Sequence, residues 1–287
     1  MKIVEYIPIL KPRPVDAHKD DFGKVCIIAG SVGFSGAAAL AGKAALRSGA
    51  GLVRVAVPKS ILPIVASIEP SYTTIPLDED AAGRISKKAM NKILDILPEN
   101  DCIAVGCGIG TSGDLGLMLL TLIAQENLKM VIDADGLNNL AAIQNWQNNA
   151  KANIILTPHP GEMKRLWPSV MREAMPPDRT SQAVQLAQKT GTIVVLKGAG
   201  TVVTDGKSLY INKTGNPGMA TAGAGDVLTG CIAAALGQQL SSFDAAVLGV
   251  YIHGLAGDIA AQRFGQVSLI ATDIIDSLGQ AFMKHSG

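Results

Sequence analysis

The sequence predicts an α/β fold with a mostly parallel central sheet that is covered by helices on both faces. Short apolar, β-branched runs recur along the first two thirds of the chain, and segments with helical spacing separate most of them. These runs are continuously apolar rather than alternating, as expected for strands that are buried on both faces. The predicted strands are residues 24–29, 53–57, 102–105, 130–132, 154–156 and 192–197.

The pattern changes near residue 200. Asp205 and Gly206 lie between two short apolar runs, 202–204 and 208–211, which predicts a β-hairpin with a two-residue turn. A glycine-rich loop and long helical stretches follow. Just upstream, Thr180 is expected to cap a helix, and Gly191 is expected to end it in the left-handed conformation. The predicted helices of this part of the chain are 181–190, 227–236, 243–262 and 273–283.

Composition narrows the class of protein. The chain has 287 residues, 48% of them hydrophobic, and is expected to form a single domain over residues 1–287. Its 25 basic and 24 acidic side chains nearly cancel. The chain therefore has no large positive charge with which to bind nucleic acid or an anionic membrane. No apolar window is uninterrupted for about twenty residues, so no membrane span is expected. Four cysteines without metal-binding spacing, and an N-terminus interrupted by Glu5 and prolines, favour buried free thiols and a cytoplasmic location.

The strongest chemical signal is a glycine-rich loop that runs into an apolar helix, GNPGMATAGAGDVLTG at 215–230. Such a loop exposes backbone N–H groups, and the positive end of the helix dipole adds to them. It therefore predicts an anion hole for phosphate or a developing oxyanion, built by Gly223, Ala224 and Gly225. Asp226 at the junction is either a catalytic base or a helix cap. The glycine density favours the base, because a simple cap needs no such loop.

Polar residues follow three of the predicted strands, at the sheet edge where α/β proteins bind ligands. Lys197 precedes two glycines that let the backbone approach a polyphosphate, although a lysine at a strand end can also lack a ligand. His159 follows another strand, and there a hydrogen bond to substrate is favoured over a structural role. Asp133 and Asp135 are candidates for orienting Mg²⁺ or its waters, or for capping the next helix through Gly136.

Two other glycine patterns are not nucleotide motifs. The run 106–110 follows a strand but lacks the third glycine of GxGxxG, so a dinucleotide site for hydride transfer is not supported. Ala44 stands where a P-loop needs Ser or Thr after Lys43. The run 106–110 is better interpreted as a loop against the substrate.

Five motifs follow one another along most of residues 18–230. They are HKDDFGKVCIIAGSVGFSGAAALAGKAALRSGAGLVRV, VIDADGLNNL, ILTPHPGEMKRL, VVLKGAGTVV and GNPGMATAGAGDVLTG. This order is found in ADP-dependent NAD(P)H-hydrate dehydratases, which the chain therefore resembles. The GAGD segment alone is similar to the anion hole of ribokinase-like kinases, in which the Asp is the catalytic base. The resemblance implies a ribokinase-like fold and a lyase that dehydrates hydrated NADH or NADPH while ADP becomes AMP and phosphate.

The resemblance also implies roles for individual residues, with ADP and Mg²⁺ as cofactors and Asp226 as the base. Ala37, Gly108, His159 and Asp226 would contact the hydrated dinucleotide. It further implies a homo-oligomer, commonly a tetramer. Because the motifs begin within about twenty residues of Met1, we expect the epimerase that is often fused to such dehydratases to be a separate chain and a functional partner. The residues implied to line the ADP phosphates are Lys197, Gly198, Ala199, Gly200 and Thr201, with Gly225 nearby.

Four positions depart from the family pattern. Cys107 stands where proline is usual, Asp20 and Gly136 replace Gly and Ala, and Ala224 replaces the usual Thr or Met. None of these changes removes a charged or catalytic group. Ala224 keeps a small residue between the two glycines, while Cys107 bears on the shape of the substrate loop.

Two other functions are compatible with parts of this pattern. A ribokinase-like kinase of a small hydroxylated metabolite or vitamin precursor would share Asp226 and the anion hole. The PHPGE and KGAGT segments together favour the dehydratase over that kinase. A non-catalytic nucleotide-sensing or assembly protein is the second of these alternatives, and the intact Asp226 argues against it. The sequence does not indicate a preference between hydrated NADH and hydrated NADPH.

Overall fold

The computed structural model describes residues 1–286 and contains one ten-stranded sheet. The strands are β1 (Lys2–Ile3), β2 (Lys24–Ile28), β3 (Leu52–Pro58), β4 (Thr73–Leu77), β5 (Cys102–Val105), β6 (Lys129–Ile132), β7 (Asn153–Leu156), β8 (Ile193–Leu196), β9 (Val202–Thr204) and β10 (Ser208–Ile211). Their order across the sheet is β1-β10-β9-β8-β7-β6-β5-β2-β3-β4.

The sheet is parallel from β2 to β8, and β9 runs antiparallel to both of its neighbours. The predicted fold class is therefore confirmed, and all six predicted strands are present. Two further strands, β1 and β4, were not predicted. Strand β1 has only two residues, both exposed, and β4 is an edge strand that contains Pro76 and two threonines. Neither segment carries the apolar pattern of a buried strand.

Ten helices cover the two faces. Helices α1, α2, α8, α9 and α10 pack on one core and α3 to α7 on the other. Successive residues of β2 point to opposite faces, so Ile27 belongs to the first core and Ile28 to the second. The helices are α1 (Ser35–Arg47), α2 (Leu62–Ile68), α3 (Met90–Ile96), α4 (Gly113–Ile123), α5 (Asp135–Ala141), α6 (Pro160–Val170), α7 (Arg179–Thr190), α8 (Ala224–Gly237), α9 (Ser242–Phe264) and α10 (Ala271–Ser286).

Helix α9 is long and apolar enough to cross a membrane by length and composition. However, 72% of its most apolar window is buried inside the fold, where it packs against α8 and α10. This helix is therefore part of the core of the protein.

Two local predictions were wrong in detail. Helix α7 is capped by Asp178, whose carboxylate accepts the amide of Ser181 at 2.8 Å, and not by Thr180. The hairpin loop has three residues, 205–207, rather than the predicted two. Within this loop Asp205 Oδ1 accepts the amide of Lys207 at 2.8 Å. The left-handed Gly191 is confirmed, with φ 69°. All four cysteines are buried and free, as expected.

Candidate functional site

The site lies at one edge of the sheet, where β2, β5, β6, β7 and β8 end. Because these strands are parallel, the loops that follow them share the same edge. The first turn of α8 reaches this edge from one face, and the first turns of α5 and α6 begin there on the other. The topology therefore brings the glycine-rich loop together with polar residues that are far apart in sequence.

The first turn of α8 places Asp226 without using it as a cap. Gly223 is the N-cap and has φ 87°, and a Cβ there would lie 2.5 Å from the side chain of Leu40. The helix therefore needs glycine at this position. Asp226 is the third residue of the helix, and among residues 1–286 its carboxylate accepts no capping hydrogen bond. The helix-cap alternative does not describe this residue.

The carboxyl group of Asp226 lies in an environment that favours its protonated form. Burial, and then the negative charge of Asp133, raise the pKa of Asp226 to about 7, although the thiol of Cys107 and the ammonium of Lys197 oppose the shift. Cys107 is fully buried in the loop after β5, so its thiol links that loop to Asp226. A base with a pKa near 7 can accept a proton at neutral pH and release it again.

Lys197 and Asp133 form a buried ion pair behind the anion hole. The Nζ atom of Lys197 lies 2.5 Å from Oδ1 of Asp133 and 3.7 Å from Oε2 of Glu162. Thr229 donates to the other carboxylate oxygen of Asp133 at 2.7 Å. Burial alone would raise the pKa of Asp133, but Lys197 and then Thr229 hold it below its usual value. The same ammonium lies 3.6 Å from the position of a Cβ at Gly225.

Glu162 completes the charged cluster and was not predicted as a site residue. Burial raises the pKa of Glu162, and the charge of Lys197 offsets only part of this effect. Lys197 itself has a raised pKa, because the two carboxylates outweigh the cost of burying its charge. The sequence signal for Glu162 was its place in the PHPGE segment.

The two aspartates considered for Mg²⁺ both take part in hydrogen bonds within the protein. Lys197 and Thr229 contact the two oxygens of Asp133. Asp135 accepts the amide of Gly110 at 2.9 Å and the side-chain amide of Asn138 at 3.1 Å. Within residues 1–286 no group of three or more His, Cys, Asp or Glu side chains is placed to hold a metal ion. Both aspartates thus help to organise the protein, and their role in orienting Mg²⁺ or its waters stays a prediction.

The nucleotide loop that the sequence predicted, residues 197–201, is held by an arginine that the prediction missed. Arg179, the first residue of α7, donates to the carbonyl groups of Leu196, Lys197 and Ala199 at 2.9, 2.9 and 2.6 Å. In the described chain no backbone acceptor pairs with the amides of Gly198, Ala199 and Gly200, and these three residues are exposed. A loop with its carbonyls held and its amides free is suited to bind phosphate.

His159 lies at the start of α6 and closes a capping box. Its Nδ1 accepts the amide of Gly161 at 2.9 Å, and its own backbone amide donates to Glu162 at 2.7 Å. The ring is nevertheless 49% exposed, with Nε2 3.4 Å from the Glu162 carboxylate. The Nδ1 atom of His159 thus has a structural role, while the exposed side of the ring is open to a ligand. Pro160 is the first helical residue of α6.

Gly108, in the loop after β5, lies beside Ala37, which is in the first turn of α1 after β2. Gly108 has φ 65°, and a Cβ there would lie 3.0 Å from that of Ala37 and 2.8 Å from that of Phe34. Ser31 fixes the loop by donating to the Gly108 carbonyl at 2.7 Å. Phe34 was not predicted, although its side chain is 61% exposed beside these two residues. All of the predicted site residues therefore lie in the loops and the helix start at this edge.

Comparisons with known proteins show the family to which the chain belongs. A family model described as NAD(P)H-hydrate dehydratase matches residues 25–280. The bifunctional NAD(P)H-hydrate repair enzyme of Moorella thermoacetica is 42% identical over 94% of this chain and 51% of its own length. The ADP-dependent (S)-NAD(P)H-hydrate dehydratase of Neisseria meningitidis is 35% identical over 93% of this chain and 87% of its own length.

A solved structure with the same fold is that of the ADP/ATP-dependent NAD(P)H-hydrate dehydratase of Bacillus subtilis, co-crystallised with ATP and Mg²⁺. It is 27% identical, has a TM-score of 0.81, and the match covers 96% of this chain and 94% of that one. The ribokinase-like fold is thereby confirmed. The chain spans about half the length of the first curated relatives it matches. With a family model that covers residues 25–280, the chain belongs to the NAD(P)H-hydrate dehydratase family.

Proposed function

We propose that this chain dehydrates hydrated NADH and NADPH and converts ADP to AMP and phosphate in the same reaction. The observation that carries the proposal is Asp226, a half-buried carboxyl group with a pKa of about 7 in the first turn of α8, beside the backbone of residues 223–225. The similarity to the ADP-dependent enzyme of Neisseria meningitidis supports the choice of nucleotide and of substrate.

The proposed chemistry uses a kinase-like step to drive a dehydration. Asp226 takes the proton of the hydroxyl on C6 of the hydrated nicotinamide ring. The C6 oxygen then attacks the terminal phosphorus of ADP, and AMP leaves. The amides of Gly223, Ala224 and Gly225 stabilise the phosphoryl group during transfer. The ring nitrogen lone pair expels phosphate, and loss of a proton from C5 restores the dihydronicotinamide.

The remaining site residues bind and orient the two ligands. In the 197–201 loop, the free amides of residues 198–200 bind the ADP phosphates, while Ala37, Gly108 and the open side of His159 face the hydrated dinucleotide. We place Mg²⁺ with the phosphates of the nucleotide rather than on Asp133 and Asp135, because both of these carboxylates are already hydrogen-bonded. A bound Mg²⁺ would neutralise charge on those phosphates.

We also propose a biological setting for this activity. The relatives described as bifunctional repair enzymes extend well beyond the matched region, which supports a second repair activity as functional partner. The sequence resemblance identifies that activity as an epimerase. The cytoplasmic location and the homo-oligomer, commonly a tetramer, stay predictions.

A direct test mixes the purified protein with ADP and hydrated NADH and follows the recovery of reduced-nicotinamide absorbance. We expect recovery only when both protein and ADP are present. The Asp226→Asn protein is the matched control, since it keeps the shape of the side chain. Absorbance that recovers equally without ADP, or not at all with the wild type, contradicts the proposed function.

A further inference from the structure

Arg165 is an exposed arginine on α6 whose orientation is fixed by the protein. Its Nε atom donates to the side-chain oxygen of Asn138 at 2.8 Å. Within residues 1–286 its terminal nitrogens make no hydrogen bond or ion pair. One edge of the guanidinium is thus anchored, and the nitrogens that form a bidentate contact are left for a ligand.

The hydrogen bonds that orient Arg165 extend to the loop that is expected to contact the substrate. Asn138, which accepts from Arg165, donates in turn to Oδ1 of Asp135 at 3.1 Å. The other oxygen of Asp135 accepts the amide of Gly110 at 2.9 Å. Asp135 is also close enough to Asp226 to contribute to its raised pKa. A continuous hydrogen-bonded chain therefore connects Arg165 with the Gly106–Gly110 loop beside the proposed base.

Arg165 also lies beside His159, the expected substrate contact. The position of a Cβ at Gly161 is 3.1 Å from Nδ1 of His159 and 3.8 Å from Nη1 of Arg165. The two side chains therefore flank the same point at the start of α6. A ligand that touches the open side of His159 is within reach of the guanidinium.

The charged side chains around Asp226 are mostly acidic. Asp133 and Asp135 raise the pKa of Asp226, and the charge of Lys197 is already paired with Asp133 and Glu162. Two other arginines border the site but are occupied. Arg84, which packs against Gly110, is paired with Asp80 at 2.8 Å, and Arg179 holds carbonyl groups of the nucleotide loop. A dinucleotide, which carries at least two phosphate charges, would meet mainly carboxylates without a further cation.

We propose that Arg165 binds a phosphate group of the hydrated dinucleotide, with Asn138 and Asp135 as the residues that position it. This inference rests on the proposed function and extends it to the recognition of the substrate. The phosphate has two possible sources, the diphosphate bridge that NADH and NADPH share and the 2′-phosphate that only NADPH carries. Both present the same oxygens to a guanidinium.

The test compares Arg165→Gln with Lys164→Gln, which removes a neighbouring exposed cation on the same helix. Fluorescence titration measures the affinity for NADH and for NADPH, which keep the phosphates of the substrate and need no turnover. KM and kcat are then measured for both hydrated cofactors, and KM for ADP. Melting temperatures check that each variant is folded, and Arg165→Lys tests whether charge without the Nε anchor is sufficient.

We expect Arg165→Gln to raise the Kd and the KM for the dinucleotide by roughly tenfold or more, because a charge-assisted hydrogen bond is lost. Its kcat and its KM for ADP should stay near those of the wild type, and Arg165→Lys should fall between the two. An equal loss for NADH and NADPH assigns the diphosphate, and a loss confined to NADPH assigns the 2′-phosphate. Dinucleotide affinities that match those of Lys164→Gln, or an equal loss of ADP affinity, overturn the proposal. If the wild type binds NADPH but forms none from the hydrate, the proposed function fails while the titrations still decide the role of Arg165.

Discussion

The ammonium of Lys197 lies 2.5 Å from Oδ1 of Asp133, inside the protein and behind the anion hole. A strand-end lysine next to glycines was expected to point at phosphate, yet this side chain is only 18% exposed and faces carboxylates. A Cβ at Gly225 would lie 3.6 Å from Nζ of Lys197, so the charge lies next to the anion-hole loop. Loss of the lysine therefore combines a structural and an electrostatic effect.

Lys197→Ala should lower the free energy of unfolding by about 3–5 kcal/mol, because it leaves the buried carboxylates of Asp133 and Glu162 without their cationic partner. ADP binding should weaken by more than binding of the hydrated cofactor. Urea unfolding and separate calorimetric titrations of each ligand measure the two effects. In Lys197→Met/Asp133→Asn the unpaired charge on Asp133 is removed, so much of the lost stability should return. A fully stable Lys197→Ala protein would mean that the ion pair is not formed.

Asp226→Asn should lower kcat by about a hundredfold or more, since the carboxamide cannot accept the hydroxyl proton. Ligand affinities should change little, because the carboxamide has nearly the same shape. Steady-state kinetics and equilibrium titrations of the same preparation separate the two effects. Normal turnover by this variant would remove Asp226 from the mechanism.

The pKa of about 7 for Asp226 predicts a pH profile for the wild type. The base works when deprotonated, so kcat should fall as the pH drops below about 7. Stability should change in the opposite sense. Between the unfolded pKa near 4 and the folded value near 7, only the folded state holds the proton, so the stability that this group contributes falls as the pH rises. Asp226→Asn should therefore raise the melting temperature more at pH 8 than at pH 4. A kcat that is flat from pH 5 to 8 contradicts the raised pKa.

Arg179→Gln should raise KM for ADP while kcat and KM for the hydrated cofactor stay close to those of the wild type. The reason is that Arg179 holds the carbonyls of Leu196, Lys197 and Ala199, so its loss lets the loop amides leave their binding positions. Arg54→Gln is the matched control, because Arg54 also donates to a backbone carbonyl, that of Glu99. Equal effects of the two variants on all parameters would indicate that Arg179 affects only stability.

The sequence predicted the glycine loops of the site better than the contacts between its buried side chains. Gly223 and Gly108 are glycines whose conformation or surroundings exclude a Cβ, and such positions are visible as motifs. The charged cluster around Lys197 was not predictable, because Glu162, which contacts Lys197, and Thr229, which donates to Asp133, come from distant segments that only the folded sheet and α8 bring together. Periodicity detects a buried helix but does not show which of its polar residues faces a charge.

The choice of nucleotide is a further prediction. In the proposed complex, the loop at 197–201 places the terminal phosphate of ADP at residues 223–225. The additional phosphate of ATP would then extend into the space that the substrate ring occupies. ADP should therefore support faster recovery of NADH than ATP does. Initial rates with each nucleotide at saturating concentration decide this. An equal or higher rate with ATP would show that the phosphates bind in a different register.

The measurement that tests the central claim most directly follows the oxygen atom on C6. Hydrated NADH is prepared in ¹⁸O-labelled water, so that its C6 hydroxyl carries the label, and is then incubated with the protein and ADP in ordinary water. If that hydroxyl is phosphorylated before it leaves, each NADH should appear with one AMP and one inorganic phosphate that contains a single ¹⁸O atom. Unlabelled phosphate, or a stable phosphorylated product without recovered NADH, would contradict dehydration through phosphoryl transfer.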